Sequence, residues 1–176
     1  MSSIKNFSCW NSECENYVNK QINVELDASH QYLSLYNYFN RDDVGLENVA
    51  NFFKKCSEEE REHAFKFIDY QNMRGGKVKL NTINQYNYEP VGDDIKSDVL
   101  KAFELVIQLE NIVYQHLLKL HIIGEKCNDP QFCDFIEGEF LKEQVEGIYD
   151  LNKKISVLKR IGSDGHGIWE FNNKLQ

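Results

Sequence analysis

Four stretches of the sequence repeat apolar side chains at alternating steps of three and four residues. Over such lengths that period is the signature of long helices packed face to face. The first stretch runs from about Ser12 to Phe39, with Val18, Ile22, Glu25, Ser29, Tyr32 and Tyr36 along one stripe. The second, about Val44 to Arg74, carries Val49, Phe53, Cys56, Glu60, His63, Phe67 and Tyr70. The third, about Asp98 to Ile123, carries Val99, Phe103, Val106, Glu110, Val113, Leu117 and Leu120. The fourth, about Pro130 to Arg160, carries Glu137, Leu141, Gln144, Ile148, Leu151, Ile155 and Leu158. Breakers are scarce, with 10 Gly and 2 Pro in 176 residues, which agrees with a few long elements.

The punctuation orders these helices in space. Asp42-Asp43 opens the second helix after a very short turn, so the first two are antiparallel neighbours. Gly75-Gly76 ends the second, and Asn128-Asp129-Pro130 caps and starts the fourth after another short turn. Between helices two and three, Gly76 to Ser97 is polar, aromatic and without period. Roughly 20 residues at ~3.3 Å each span ~65 Å, whereas a helix of ~28 residues is ~42 Å long. The connection can therefore cross the whole bundle and make helices two and three parallel. The predicted fold is all-α: a four-helix bundle with one long crossover between helices two and three, plus a short C-terminal fifth helix around Ile168–Phe171. Residues 1–11 are expected to be a flexible N-terminal segment, 12–161 the bundle, and 162–176 the short helix and tail.

Charge narrows the function. Lys plus Arg number 20 and Asp plus Glu 28, a formal charge of −8, which disfavours nucleic acid and anionic lipid as partners. The longest apolar runs are about three residues, far short of the ~20 of a spanning helix, so no membrane segment is expected. The N-terminus lacks the apolar stretch of a secretory signal. Five cysteines without a CxxC pair suit a reducing compartment. Together these give a cytosolic location as the expectation.

Each inner stripe holds a polar residue near its middle: Glu25, Glu60 with His63, Glu110, and Gln144. An unpaired buried carboxylate is costly or becomes neutral, and three converging on one core need cations. One histidine cannot compensate three carboxylates, whereas iron or another divalent metal suits hard oxygens plus one imidazole. Glu60-Arg61-Glu62-His63 is Glu-x-x-His, which puts both donors on one helical face.

Several segments carry a family likeness: Lys20–Leu26, Phe39–Val44, Glu59–Ala64 and Gln71–Gly76, continued by Leu120-His121, Asn128-Asp129-Pro130, Cys133–Glu137 and Glu143-Gln144-Val145. Over roughly residues 12 to 165 the sequence resembles the ferritins, in particular the catalytic heavy-chain type of animal cytosolic ferritin. The resemblance implies an iron-storage subunit that oxidises Fe(II) to Fe(III) with dioxygen and stores the ferric mineral inside a shell. It implies that Glu25, Glu60, His63 and Glu110 are the ferroxidase ligands, supported by Gln144 and Tyr32. The chemistry agrees with a loose site: Glu25, Glu60 and His63 can hold one iron, the second has mainly Glu60 and Glu110, and Gln144 is a weak neutral donor. By the same resemblance Asp134 and Glu137 line a three-fold channel that concentrates cations, near His121 and Cys133. Glu59 and Glu62 match an acidic cluster where mineral nucleates, although Phe65 stands where that pattern is usually acidic.

The resemblance further implies a homo-oligomer of 24 subunits with octahedral symmetry, open to co-assembly with other ferritin subunits. A non-enzymatic shell subunit that only nucleates and stores iron is the alternative. A di-iron oxygenase component is disfavoured by Gln144, which stands where a fourth-helix carboxylate and histidine belong. Asn172 falls where the family commonly has leucine, which predicts an ordered turn over Ile168–Phe171 and a hydrated or frayed end beyond it.

Overall fold

The computed structural model describes residues 10–90, 94–162 and 165–175. Helix α1 spans Ser12–Phe39, α2 Glu47–Met73 and α3 Ile95–Lys126. The fourth rod is α4, Pro130–Ile136, then a π-helical turn over Glu137–Leu141, then α5, Lys142–Arg160. A final helix, α6, spans His166–Lys174. Within the described residues there is no β-strand, and no helix is long and apolar enough to cross a membrane.

Local chemistry sets the helix ends. Asn11 caps α1 through its Oδ1, which accepts from the Glu13 N–H at 2.7 Å. Asp94 caps α3 by accepting from the Ser97 N–H at 2.8 Å, so α3 begins before the expected Asp98. The second helix starts at Glu47, not at Asp42-Asp43. Arg41 turns its guanidinium onto Asp43, and Gly45 sits at φ +66°, a left-handed conformation that glycine adopts without strain. The acidic pair therefore closes the turn and leaves the helix to begin after it. Asp129 accepts from the Phe132 N–H at 3.1 Å, with Pro130 in the first turn of α4.

The crossover makes α2 and α3 parallel, as its reach allows. It lies along α1 from one end to the other: the Asn19 amide donates to the Lys77 carbonyl at 3.0 Å, and the Asn84 N–H donates to Asp27 at 2.8 Å. Further along, the Tyr88 ring meets Tyr38 and Phe39, and its hydroxyl donates to the Asp98 carbonyl at 2.7 Å. Two apolar clusters fill the bundle. One packs Leu35, Phe39, Phe53, Val99, Phe103 and Leu158; the other packs Val18, Ile22, Phe67, Leu117, Phe132 and Phe140.

Three further expectations change. Around the π turn of the fourth rod the buried residues are Ile136 and Phe140, while Glu137 is exposed and Leu141 only half-buried. The π turn inserts one residue, so the inner face advances in steps of four from Phe132 through Ile136 and Phe140 to Gln144. The second change is at the C-terminus. Helix α6 continues to Lys174, and Asn172 is buried instead of frayed. Its Oδ1 accepts from the backbone N–H groups of Asn48 and Val49, both at 3.1 Å. Helix α2 has no side-chain cap of its own, so Asn172 supplies one from 124 residues away. The third concerns the N-terminal segment. Residues 1–9 lie outside the described residues, but Trp10 is anchored, its indole N–H donating to Gln71 at 2.8 Å beneath the Arg74 guanidinium.

Candidate metal centre

Between the two apolar clusters lies a polar layer. Ser29 of α1 and Ser57 of α2 exchange hydroxyl-to-carbonyl bonds of 2.7 and 2.8 Å, and these small side chains let the helices approach closely. Beside them, Glu25, Glu60, Glu110 and Gln144 are all buried. Four separate elements bring them together: α1 supplies Glu25, α2 Glu60 and His63, α3 Glu110, and α5 Gln144.

Each of Glu25, Glu60 and His63 offers one ligand atom within 4.8 Å of the others. His63 Nδ1 lies 3.4 Å from Glu60 Oε2, and its Nε2 lies 3.5 Å from Glu143 Oε2. Glu25 Oε1 accepts from the Gln21 amide at 2.7 Å, while its Oε2 is buried without an N–H or hydroxyl donor. Besides Gln21, this side chain has the neighbouring Glu60 carboxyl in hydrogen-bonding reach. On the far side, Glu110 accepts from the Tyr32 hydroxyl and from the Gln144 amide. The same amide reaches the Glu110 backbone carbonyl at 3.0 Å. A cavity of about 210 Å³ joins Glu60, His63, Glu110 and Gln144 to the surface. Tyr32, Glu60, Glu110 and Gln144 form its floor, and the exposed Glu59 and Glu143 its rim.

The electrostatics of this layer oppose charge on its carboxyls. Burial, then the charge of Glu60, hold the Glu25 carboxyl well above the ordinary carboxylate range. Burial and then Glu110 do the same to Glu60. Burial also raises Glu110, opposed by the hydrogen bonds from Tyr32 and Gln144, which favour its charged form. At the rim, burial and the nearby Glu143 raise Glu59. Like charges in a desolvated layer resist ionisation, and a divalent cation removes that resistance.

The structure places the expected Glu25, Tyr32, Glu60, His63, Glu110 and Gln144 in one layer, with Glu59 at the rim. Glu62 is exposed on α2 away from the cavity, and Asp134 and Glu137 are exposed on the fourth rod. Glu137 Oε1 lies 2.5 Å from His121 Nε2. Gln21, Cys56 and Glu143 were missed. Gln21 and Cys56 stand four residues before Glu25 and Glu60, one turn along the same face, which was the available signal.

A model of the ferritin-like domain matches residues 15–161. The chain belongs to the ferritin family. It is 47% identical to a chloroplastic ferritin of Zea mays, over 93% of this chain and 64% of that protein. It is 49% identical to a chloroplastic ferritin of Malus baccata var. xiaojinensis, again over 93% of this chain and 64% of that protein. The chain therefore spans just under two thirds of the length of these curated relatives. The crystal structure of ferritin from the green alga Ulva pertusa superposes with a TM-score of 0.90 at 41% identity, covering 95% of this chain and 85% of that one. These ferritin matches bear out the family. The cytosolic location expected with it is overturned, since relatives at about this identity are named for the chloroplast. The expectation rested on the lack of an apolar leader and on cysteines without a CxxC pair. Organelle-targeting segments are polar and Ser- or Arg-rich, so that lack does not distinguish a plastid from the cytosol.

Proposed function

We propose that this chain is an iron-storage ferritin subunit whose mid-bundle carboxylates bind Fe(II) as substrate and oxidise it with dioxygen. One observation carries the reading: three donors, Glu25, Glu60 and His63, converge within 4.8 Å in a buried layer where one carboxylate oxygen has no N–H or hydroxyl donor. A buried acceptor left empty costs on the order of 1–3 kcal/mol, and a cation is the ligand that relieves it.

Each residue then has a role. Glu25, Glu60 and His63 hold one iron; Glu60 and Glu110 hold the second, with the Gln144 amide beside it. Carboxyls with raised pKa values bind the metal as carboxylates, so loading releases protons. Tyr32 orients Glu110 by donating to it, and Glu59 and Glu143 at the rim give oxidised iron acidic stepping points outward. With no second Glu-x-x-His on α5, the site holds ferric iron loosely, which suits a substrate that must move on. Asp134 and Glu137 concentrate cations where symmetry-related copies meet. Copies of the bundle, residues 12–161 with the 162–176 helix and tail appended, enclose the mineral in a shell of 24, alone or with other ferritin subunits. The exposed Phe65 beside Glu62 weakens the acidic nucleation patch.

Adding Fe(II) aerobically to the purified protein tests this. Rapid growth of ferric absorbance with matching oxygen consumption is expected. A protein that accumulates iron only at the rate of free Fe(II) autoxidation would be a non-enzymatic shell subunit. An Asp134→Asn, Glu137→Gln double variant should slow uptake at limiting Fe(II) with the buried ligands intact; an unchanged initial rate would mean that iron enters elsewhere.

A further inference from the structure

Two thiols outside the metal layer meet at one end of the bundle, where α1 begins and α3 stops. Cys14 stands in the first turn of α1 and is fully buried; Cys127 caps the end of α3 and is half-buried. The residue before each one forms an ion pair with the other: Lys126 Nζ lies 2.9 and 3.0 Å from the two Glu13 oxygens. That bridge spans 113 residues of chain and holds the two helix ends in register. On the neighbouring side, Arg74 at the end of α2 pairs with Asp129 at 2.5 Å. Inside this frame Cys14 belongs to one apolar cluster and Cys127 packs against it, so the two thiols are neighbours. Burial and this neighbour push the Cys14 thiol up to about 12, so Cys14 is not the sulfur that reacts first. The other described thiols are occupied differently. Cys133 contacts the His121 carbonyl at 3.9 Å, and Cys56 lines the metal cavity.

We infer that Cys14 and Cys127 are a site of reversible oxidation, where hydrogen peroxide converts the thiol pair into a disulfide joining the first turn of α1 to the end of α3. The reachable Cys127 sulfur attacks a peroxide oxygen as thiolate. An S–O bond forms, the O–O bond breaks, and hydroxide leaves as water with the thiol's proton. The Cys14 sulfur then attacks the sulfenic sulfur. The S–S bond forms, the S–O bond breaks, and a second water carries off the Cys14 proton. Two thiols and one peroxide give one disulfide and two waters, the thiols losing the two electrons that peroxide gains. Because the loop it closes is long, the bond restricts the unfolded chain strongly. The inference does not depend on iron oxidation.

The test uses the full reduced chain, without iron, treated with hydrogen peroxide at alkaline pH. Remaining thiols are alkylated in denaturant and the non-reduced digest is read by mass spectrometry. The expected product is a cross-linked peptide pair containing Cys14 and Cys127, lighter by two hydrogens, with loss of two alkylable thiols per chain. Dithiothreitol should restore both thiols, and the oxidised protein should melt at a higher temperature than the reduced one. In Cys127→Ser, with native folding checked by circular dichroism, Cys14 should remain fully alkylable after peroxide. Cys127 oxidised to the sulfinic acid beside a free Cys14, a disulfide from either to another cysteine, or no loss of these two thiols would each overturn the proposal.

Discussion

The polar layer around Glu25 and the seat of Asn172 under α6 both bury a hydrophilic side chain, with opposite results. Asn172 is fully used, its oxygen accepting two backbone N–H groups that α2 cannot satisfy itself. Glu25 is not, because one of its oxygens is buried without an N–H or hydroxyl donor and its carboxyl is held well above the ordinary range. A buried polar group that is satisfied serves the fold, whereas an unsatisfied carboxylate that converges with two further donors, as Glu25 does with Glu60 and His63, marks a candidate ligand site.

Substitutions at the two places should therefore act in opposite senses. Glu60→Ala should lower the rate of Fe(II) oxidation by ~10-fold or more, a loss of at least ~1.4 kcal/mol of transition-state stabilisation. The bundle should persist, since a carboxyl that burial and Glu110 disfavour is removed; stopped-flow absorbance with circular dichroism reads both. Asn172→Leu should do the reverse. It leaves two helix N-terminal N–H groups without an acceptor, costs about 1–2 kcal/mol of stability in denaturant unfolding, and spares iron oxidation per folded subunit. Asn172→Asp should keep the cap, because a carboxylate also suits a helix N-terminus.

The smallest effect is a pH slope. Glu25, Glu60 and Glu110 have folded-state pKa values above their unfolded ones, so the native state binds more protons than the unfolded state across that interval. Their contribution is fully present below the ordinary carboxylate pKa of about 4.3 and is lost as pH rises through the raised values. Metal-free protein should accordingly lose stability as pH climbs from that point. Glu25→Gln should flatten the slope and raise metal-free stability at neutral pH by on the order of 1 kcal/mol. Denaturation midpoints measured from mildly acidic to neutral pH, with and without the substitution, give the comparison.

The same contrast explains what the sequence could reveal. A carboxylate on an apolar stripe is visible from spacing alone, and four stripes with polar centres at similar depth made Glu25, Glu60, His63, Glu110 and Gln144 legible together. The long helices and their crossover were legible for the same reason, since period and breakers are local. Asn172 was misjudged because its partners, the Asn48 and Val49 N–H groups, lie 124 and 123 residues away and belong to the backbone, which carries no side-chain signal. The π turn hid similarly. A steady period assigned Glu137 and Leu141 to the inner face, and only the inserted residue moves Ile136 and Phe140 there. At Asp42-Asp43, two good capping residues were read as a helix start, while the Arg41–Asp43 pair and Gly45 spend them on the turn.

The central claim is that the unsatisfied mid-bundle carboxylates are where iron binds. Crystals soaked in Fe(II) without oxygen, with anomalous diffraction measured at the iron edge, address it most directly. The account predicts anomalous density among Glu25, Glu60 and His63, extending toward Glu110. Density confined to exposed carboxylates such as Asp134 and Glu137, with the buried layer empty at saturating iron, would contradict it.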